Sequence, residues 1–168
     1  TYDTLLLSPG AEPVTPPIAG LPCDKVFTLR NIPDTVRIKE YVEEEFPDTA
    51  VVIGGGYIGV EMAENLKKAG MDVTIVEMSD HVIAPLDLDM ACDVHHYLAS
   101  QGIHLILNNG VSSIAEEGGK LSITLKQGIL QADMAILAVG VRPETSLAKA
   151  AGLALNSRGA IVTDSHMR

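Results

Sequence analysis

The sequence predicts an α/β fold: a Rossmann-like parallel sheet with flanking helices and an inserted antiparallel β-meander. Three observations carry this. The apolar run Val51-Val-Ile53 is followed by Gly54, Gly55 and Gly56, and then by an amphipathic pattern that runs to Gly70. A second apolar strand, Asp72-Val-Thr-Ile-Val-Glu-Met78, follows at once, so strand, tight turn, helix and strand make one β-α-β unit. Between residues 111 and 132 the pattern changes to short alternating segments divided by Gly118-Gly119 and Gln127-Gly128, which marks antiparallel hairpins.

Each glycine of the first turn answers a separate demand. Gly54, Gly56 and Gly59 stand in G-x-G-x-x-G spacing. Gly54 permits the sharp turn, Gly56 lets a pyrophosphate approach the backbone, and Gly59 lets helix and strand pack closely. The helix directs its unpaired N–H groups and positive dipole end toward that pyrophosphate. Glu77, at the end of the second strand, lies at about the ~20-residue distance expected of a carboxylate that hydrogen-bonds a ribose 2′-hydroxyl. A 2′-phosphate would be repelled by Glu77, and no Arg or Lys occurs from Glu77 through Asp93 to receive one, so NAD(H) is favoured over NADP(H).

Composition narrows the class. Hydrophobic residues make up 46% of the 168, and no apolar run reaches the ~20 residues of a membrane span. The formal charge of −10 argues against nucleic acid and anionic membrane as partners, since both reward clustered Lys and Arg. Cys23 and Cys92 lie far apart, with no C-x-x-C and no histidine at metal spacing, so neither a disulfide framework nor a metal site is indicated, and a reducing, cytoplasmic setting is expected. Both cysteines are expected to be packing residues. A start in the strand-like Leu5-Leu-Leu7, without a methionine, suggests a piece of a longer protein.

In chain order, residues 2–7 are expected to form a short buried strand, and residues 8–20 a Pro- and Gly-rich loop. That loop is either a linker or a turn laid against a ligand, with Gly10 allowing close approach. After Val26-Phe-Thr-Leu-Arg30, a helix is expected to begin at Pro33-Asp-Thr and to end at Pro47; the acidic bunch Glu40, Glu43, Glu44, Glu45 and Asp48 is expected to form a solvated face. The central helix is expected to bury Ile58, Met62, Ala63, Leu66 and Ala69, with Gly70 as its cap. A second helix from Asp87 to Gly102 is expected to bury Met90, Ala91, Val94, Tyr97 and Leu98, with the adjacent His95 and His96 on its surface. Strand 103–107 closes the second β-α-β unit. After the meander, the apolar strand Met134-Ala-Ile-Leu-Ala-Val139 ends at Gly140, on the edge where open α/β sheets bind ligands. A short helix over 145–151 and a strand beginning at Gly159 complete the reading.

The segments Gly54-Gly-Gly-Tyr-Ile-Gly-Val-Glu61, Val73-Thr-Ile-Val-Glu77, Leu86-Asp-Leu-Asp89 and Ala138-Val-Gly-Val-Arg-Pro143 resemble the NAD-binding domain of the flavin-dependent pyridine nucleotide-disulfide oxidoreductases. The branch resembled is that of NADH oxidase, NADH peroxidase and coenzyme A-disulfide or persulfide reductase. The resemblance implies an NAD(H) domain that positions NADH for hydride transfer to FAD, and from there to a cysteine, a disulfide, a persulfide or oxygen. It implies that Ser8, Pro9, Gly10, Ala11 and Arg30 lie on the FAD side, that Tyr57 covers the flavin where nicotinamide docks, that Ile58 and Gly140 contact NAD, and that Glu61 lies near nicotinamide and flavin. It divides the chain into an FAD-domain segment and linker (1–30), the NAD(H) domain (31–153) and a return segment toward the FAD domain (154–168).

Such enzymes also carry a first FAD-binding unit with the redox cysteine and a dimerisation domain, and neither is matched here. Cys23 and Cys92 match no redox cysteine of the family. The resemblance therefore implies no catalytic residue in this chain, a fragment inactive alone, and a parent that is a homodimer and supplies the missing domains. The alternative is a free-standing NAD-sensing module, for which the flavin-side matches would have no use.

Overall fold

Every residue of two central strands is buried apart from the first residue of one, and this requires a sheet covered on both faces. The computed structural model describes residues 2–168. In chain order its elements are β1 (Ala11–Pro13), β2 (Val26–Phe27), α1 (Ile32–Glu45), β3 (Thr49–Ile53), α2 (Tyr57–Lys68), β4 (Asp72–Val76), α3 (Leu88–Ser100) and β5 (Ile103–Ile106). They continue with β6 (Val111–Glu117), β7 (Lys120–Leu125), β8 (Ile129–Ala132), β9 (Met134–Leu137), β10 (Val141–Pro143) and α4 (Ser146–Ala150). The chain forms two compact units, Thr15–Gly140 and a smaller one made of Thr1–Val14 with Val141–Arg168.

In the larger unit a parallel sheet has the order β2-β9-β3-β4-β5. Alternate residues of each strand face opposite layers. Ala50, Val52, Val73, Ile75, Met134 and Ile136 pack with Ile38 of α1, Ala63 and Leu66 of α2 and Leu98 of α3. Val51, Ile53, Val76, Ala135 and Leu137 pack instead with Ile114, Leu121, Ile123 and Leu125 of the meander, whose order is β6-β7-β8. The three helices thus cover one face of the sheet and the meander covers the other. Each fully buried aliphatic side chain in these layers contributes about 1.5–3 kcal/mol.

Local signals set the helix ends. Asn31 caps α1 by accepting from Asp34 N–H at 3.1 Å, while the Asp34 carboxylate accepts from Asn31 N–H at 3.1 Å. Gly70, at φ 99°, ends α2. There Met71 N–H donates to Leu66 C=O and Gly70 N–H to Lys67 C=O, closing a Schellman turn.

Several expectations are corrected. Residues 2–7 form no strand; Leu5 and Leu6 are exposed, and no described strand pairs with them. Residues 159–164 contribute only a single bridge, Ile161 to Leu155. The loop 8–20 contains β1, which pairs antiparallel with β10, so that Glu12 meets Arg142 at 2.6 Å. The core stripe of α3 is Ala91, Val94 and Leu98. Met90 and Tyr97 lie one residue further round the helix and are exposed, and the Tyr97 hydroxyl donates to Glu64 of α2 at 2.8 Å. On α2, Gly59, Ala63 and Leu66 make the closest contacts, which leaves Ile58 and Ala69 exposed.

Asp133 joins the three layers at the amino ends of the strands. Its carboxylate accepts from Thr49 N–H at 2.9 Å, Thr49 Oγ1–H at 2.6 Å and Lys120 Nζ at 3.0 Å, and its C=O accepts from the Tyr41 hydroxyl at 3.1 Å. Burial pushes the Asp133 carboxyl up, but the Thr49 and Lys120 donors outweigh it and hold the group below its ordinary value. A carboxyl depressed in the folded state contributes stability that is complete above its unfolded pKa, about 3.9, and is lost as pH falls through the folded value. Replacing Asp133 with Asn should therefore lower stability at neutral pH and flatten the decline below about pH 4. Urea unfolding between pH 7 and pH 3 measures this, and parallel profiles for the two proteins would contradict it.

Candidate functional site

β3 lies between β9 and β4 in the parallel sheet and leads through α2 to β4, and the glycine turn follows its carboxyl end. The carboxyl edge of an open parallel sheet is the usual place for a ligand crevice. Here it is a cleft of about 470 Å³ lined by the glycine turn, the ends of β4 and β9, and the turn after β5.

The glycine turn is built by contact. A Cβ at Gly54, whose φ is 107°, would lie 2.4 Å from Ala138 C=O, and one at Gly59 would lie 2.0 Å from Gly54 C=O. Neither position tolerates a side chain. A Cβ at Gly55 would lie 2.8 Å from Val82 Cγ1. A Cβ at Gly56 would meet no protein atom within 4 Å, so nothing inside the protein demands glycine there. Gly56 is the N-cap of α2, and the first intrahelical bond runs from Val60 N–H to Gly56 C=O at 2.9 Å. The amides ahead of Val60 stand at the positive end of the helix.

Glu77 follows β4 and reaches back to this turn. Its two carboxylate oxygens accept from Gly55 N–H and Ser79 N–H, each at 2.7 Å. Burial pushes its pKa up, but these donors outweigh burial and hold it below the ordinary glutamate value. The Ser79 hydroxyl and Met78 N–H favour the ionised form as well, and Glu77 lines the cleft. Among the described lining residues Glu77 is the only charged one.

Gly54, Gly55, Gly56, Glu77 and Gly140 therefore meet in one cleft, with Gly140 at φ 118° and nothing within 4 Å of its would-be Cβ. Gly59 supports the turn from beneath. Tyr57, Ile58 and Glu61 are exposed on the first turns of α2, outside the cleft lining, and Glu61 accepts from Asn65 Nδ2 at 3.2 Å. Ser8, Pro9, Gly10 and Ala11 belong to the smaller unit, where Gly10 C=O accepts from Glu144 N–H at 2.9 Å. Arg30 belongs to the larger unit; its side chain is exposed and its N–H donates to Asp34.

Two parts of the site escaped the sequence reading. Asn109, buried in the turn after β5, donates to Gln127 C=O at 3.0 Å and accepts from Gln127 N–H at 3.1 Å, while its own N–H bonds Glu77 C=O. The dipeptide Asn109-Gly110 was the available signal. The loop over 79–87 lies beneath the glycine turn, with Ile83 N–H donating to Gly55 C=O at 2.7 Å. Its signal was the apolar run Val82-Ile-Ala84 in a segment with no strand or helix period. His95, expected on the surface, is half-buried and accepts from Val82 N–H at 3.2 Å. Burial, then His81 and His96, hold its pKa below the ordinary value.

The same architecture occurs in proteins of known structure. The chain superposes with a TM-score of 0.92 on the reduced CoADR-RHD of Bacillus anthracis, at 50% identity, over 97% of this chain and 29% of that one. On the water-forming NADH oxidase from Lactobacillus brevis, solved bound to NADH, the TM-score is 0.91 at 32% identity, over 100% of this chain and 37% of that one. By sequence it is 42% identical over 152 residues to the NADH oxidase of Methanocaldococcus jannaschii, covering 90% of this chain and 34% of the relative. The chain thus spans about a third of the length of the curated relatives it matches. The model of the pyridine nucleotide-disulphide oxidoreductases matches residues 1–168. Matched along its whole length, and folded as these relatives fold, the chain belongs to the pyridine nucleotide-disulphide oxidoreductase family.

Proposed function

We propose that the cleft binds NAD(H), and that the chain is the nucleotide-holding part of a flavin-dependent oxidoreductase that passes reducing equivalents from NADH through FAD to a cysteine, a disulfide, a persulfide or oxygen. One observation carries the reading: Glu77 is held ionised beside the glycine turn and lines the cleft, where a ribose diol would donate to it. The rest of the site suits a dinucleotide. Gly56 is the glycine whose missing side chain leaves room on the cleft side, where a pyrophosphate would rest against the α2 amides. Apolar groups of Ile18, Val111 and Pro85 suit a purine.

When bound, NADH supplies the hydride. This chain's own residues hold and orient it: the glycine turn by its backbone, Glu77 by accepting from the ribose, and Gly140 by leaving the sheet edge open. Tyr57, Ile58 and Glu61, exposed at the start of α2, are assigned to the nicotinamide end, and Ser8, Pro9, Gly10, Ala11 and Arg30 to the flavin side. Neither Cys23, packed against the meander layer, nor Cys92, exposed on α3, is given a redox role. The parent is proposed to supply the remaining flavin-binding and dimerisation parts.

NAD(H) is favoured because Glu77 would repel a 2′-phosphate and no Lys or Arg is present among the described lining residues to bind one. Replacing Glu77 with Gln keeps an acceptor oxygen and removes the charge. The ratio of the NADPH and NADH dissociation constants should then fall by about tenfold, since a charge-assisted hydrogen bond contributes about 1.5–3 kcal/mol. Fluorescence titration of both nucleotides reads the ratio, and an unchanged value would remove Glu77 from the ribose.

The glycines offer a separate check. Gly56→Ala should leave the urea midpoint near that of the parent while weakening NADH by about tenfold, the loss of roughly one good contact. Gly59→Ala should lower stability by about 1–3 kcal/mol through the clash with Gly54 C=O. Equal effects of the two on NADH affinity and stability would contradict the assignment of Gly56 to the ligand.

A further inference from the structure

The loop over residues 79–87 holds an unfavourable conformation at one point. Ile83 has φ 52°, in the left-handed region that a β-branched residue enters at a cost of about 1–3 kcal/mol. Two bonds keep it there. Ile83 N–H donates to Gly55 C=O at 2.7 Å, and the neighbouring Val82 N–H donates to His95 Nε2 on α3 at 3.2 Å. Between them the Val82 side chain is fully buried, and it fills the space where a Cβ on Gly55 would fall 2.8 Å from Val82 Cγ1. The next turn of the loop closes through Leu86 N–H to Ile83 C=O at 2.8 Å.

We propose that His95 is a positioning residue for the pyridine nucleotide: by accepting from Val82 N–H it latches the 79–87 loop beneath the glycine turn, and so holds Gly55 where its N–H meets the Glu77 carboxylate. The inference rests on the NAD(H) reading of the cleft. His95 is not among the residues that line the cleft. Its action runs through Val82 and Ile83 to both sides of Gly55, whose C=O accepts from Ile83 while its N–H donates to Glu77 at 2.7 Å.

The geometry fixes the state of the ring. Because Val82 N–H is the donor, Nε2 carries no proton and Nδ1 carries it. Burial of the ring favours the same neutral form. Removing the acceptor orphans a buried N–H, an effect comparable in size to the strain at Ile83. The loop is then released to relax, and the apparent dissociation constant rises in proportion as the latched fraction falls.

The test compares His95→Leu, which removes the acceptor, with His95→Gln, which can present a carbonyl oxygen to Val82. In the purified protein His95→Leu should weaken NADH by about tenfold and speed amide hydrogen exchange at Val82 and Gly55, while His95→Gln restores both to within about twofold of the parent. Unchanged affinity and exchange in His95→Leu would overturn the proposal, as would equal losses in the two variants. Should His95→Leu fail to fold, the nitrogen spectrum of the unsubstituted protein still decides: the latch requires His95 Nε2 to be unprotonated at neutral pH, and a protonated Nε2 would refute it. Failure of the unsubstituted protein to bind NADH would sink the NAD(H) reading, whereas NADH binding that is indifferent to His95 would sink the latch alone.

Discussion

The site depends on the closeness with which α2 approaches the end of β3. Gly59 brings the helix so near that a single methyl group would lie 2.0 Å from Gly54 C=O, and Gly54 in turn lies against Ala138, the residue after β9. That contact sets the start of α2 beside the cleft that Gly54, Gly55 and Gly56 line. It also brings Gly55 within reach of Glu77, twenty-two residues later. The carboxylate then serves two ends at once: it accepts from the glycine turn and from Ser79, and it supplies the only charge among the described lining residues. A site that orders its own acidic group before a ligand arrives avoids the cost of ordering it on binding.

Around this contact the chain distributes support unevenly. The helices bury one face of the sheet, and Asp133 ties the opposite ends of the strands to Tyr41, Thr49 and Lys120. On the cleft side, support comes through backbone bonds between loops. Asn108 N–H bonds Ser79 C=O, Asn109 N–H bonds Glu77 C=O, and the Asn109 side chain grips Gln127 between β7 and β8. The meander therefore does more than cover the sheet. Through Asn109 it is connected to the residue assigned to the ribose.

Much of this was legible in the sequence because it depends on local spacing. Gly54 and Gly59 each do in the structure what their spacing requires sterically, Gly70 ends its helix, and the Gly118-Gly119 and Gln127-Gly128 pairs divide the three meander strands. What was not legible depends on contacts far apart in sequence or on conformations that propensity disfavours. No periodic pattern reveals that Ala11–Pro13 pairs with Val141–Pro143, because neither segment is long enough to alternate. Ile83 in a left-handed conformation contradicts the preference of its own residue type and is held there by Gly55. His95 looked like half of a surface pair because the loop that bonds it lies thirteen residues away and has no regular structure. Alternation in 111–132 showed hairpins, yet only the packing of Ile114, Leu121 and Ile123 on Val51 and Ile53 shows which face of the sheet they cover.

The central claim is that the glycine turn and Glu77 hold a nicotinamide dinucleotide and not a flavin. Calorimetric titration of the purified chain with NADH, NADPH and FAD, at one ionic strength and pH 7, addresses it most directly. The account predicts a single site for NADH, weaker binding of NADPH, and negligible heat from FAD. FAD binding more tightly than NADH would contradict it, because the turn at Gly54 would then serve the flavin and the assignment of the whole sheet edge would fall.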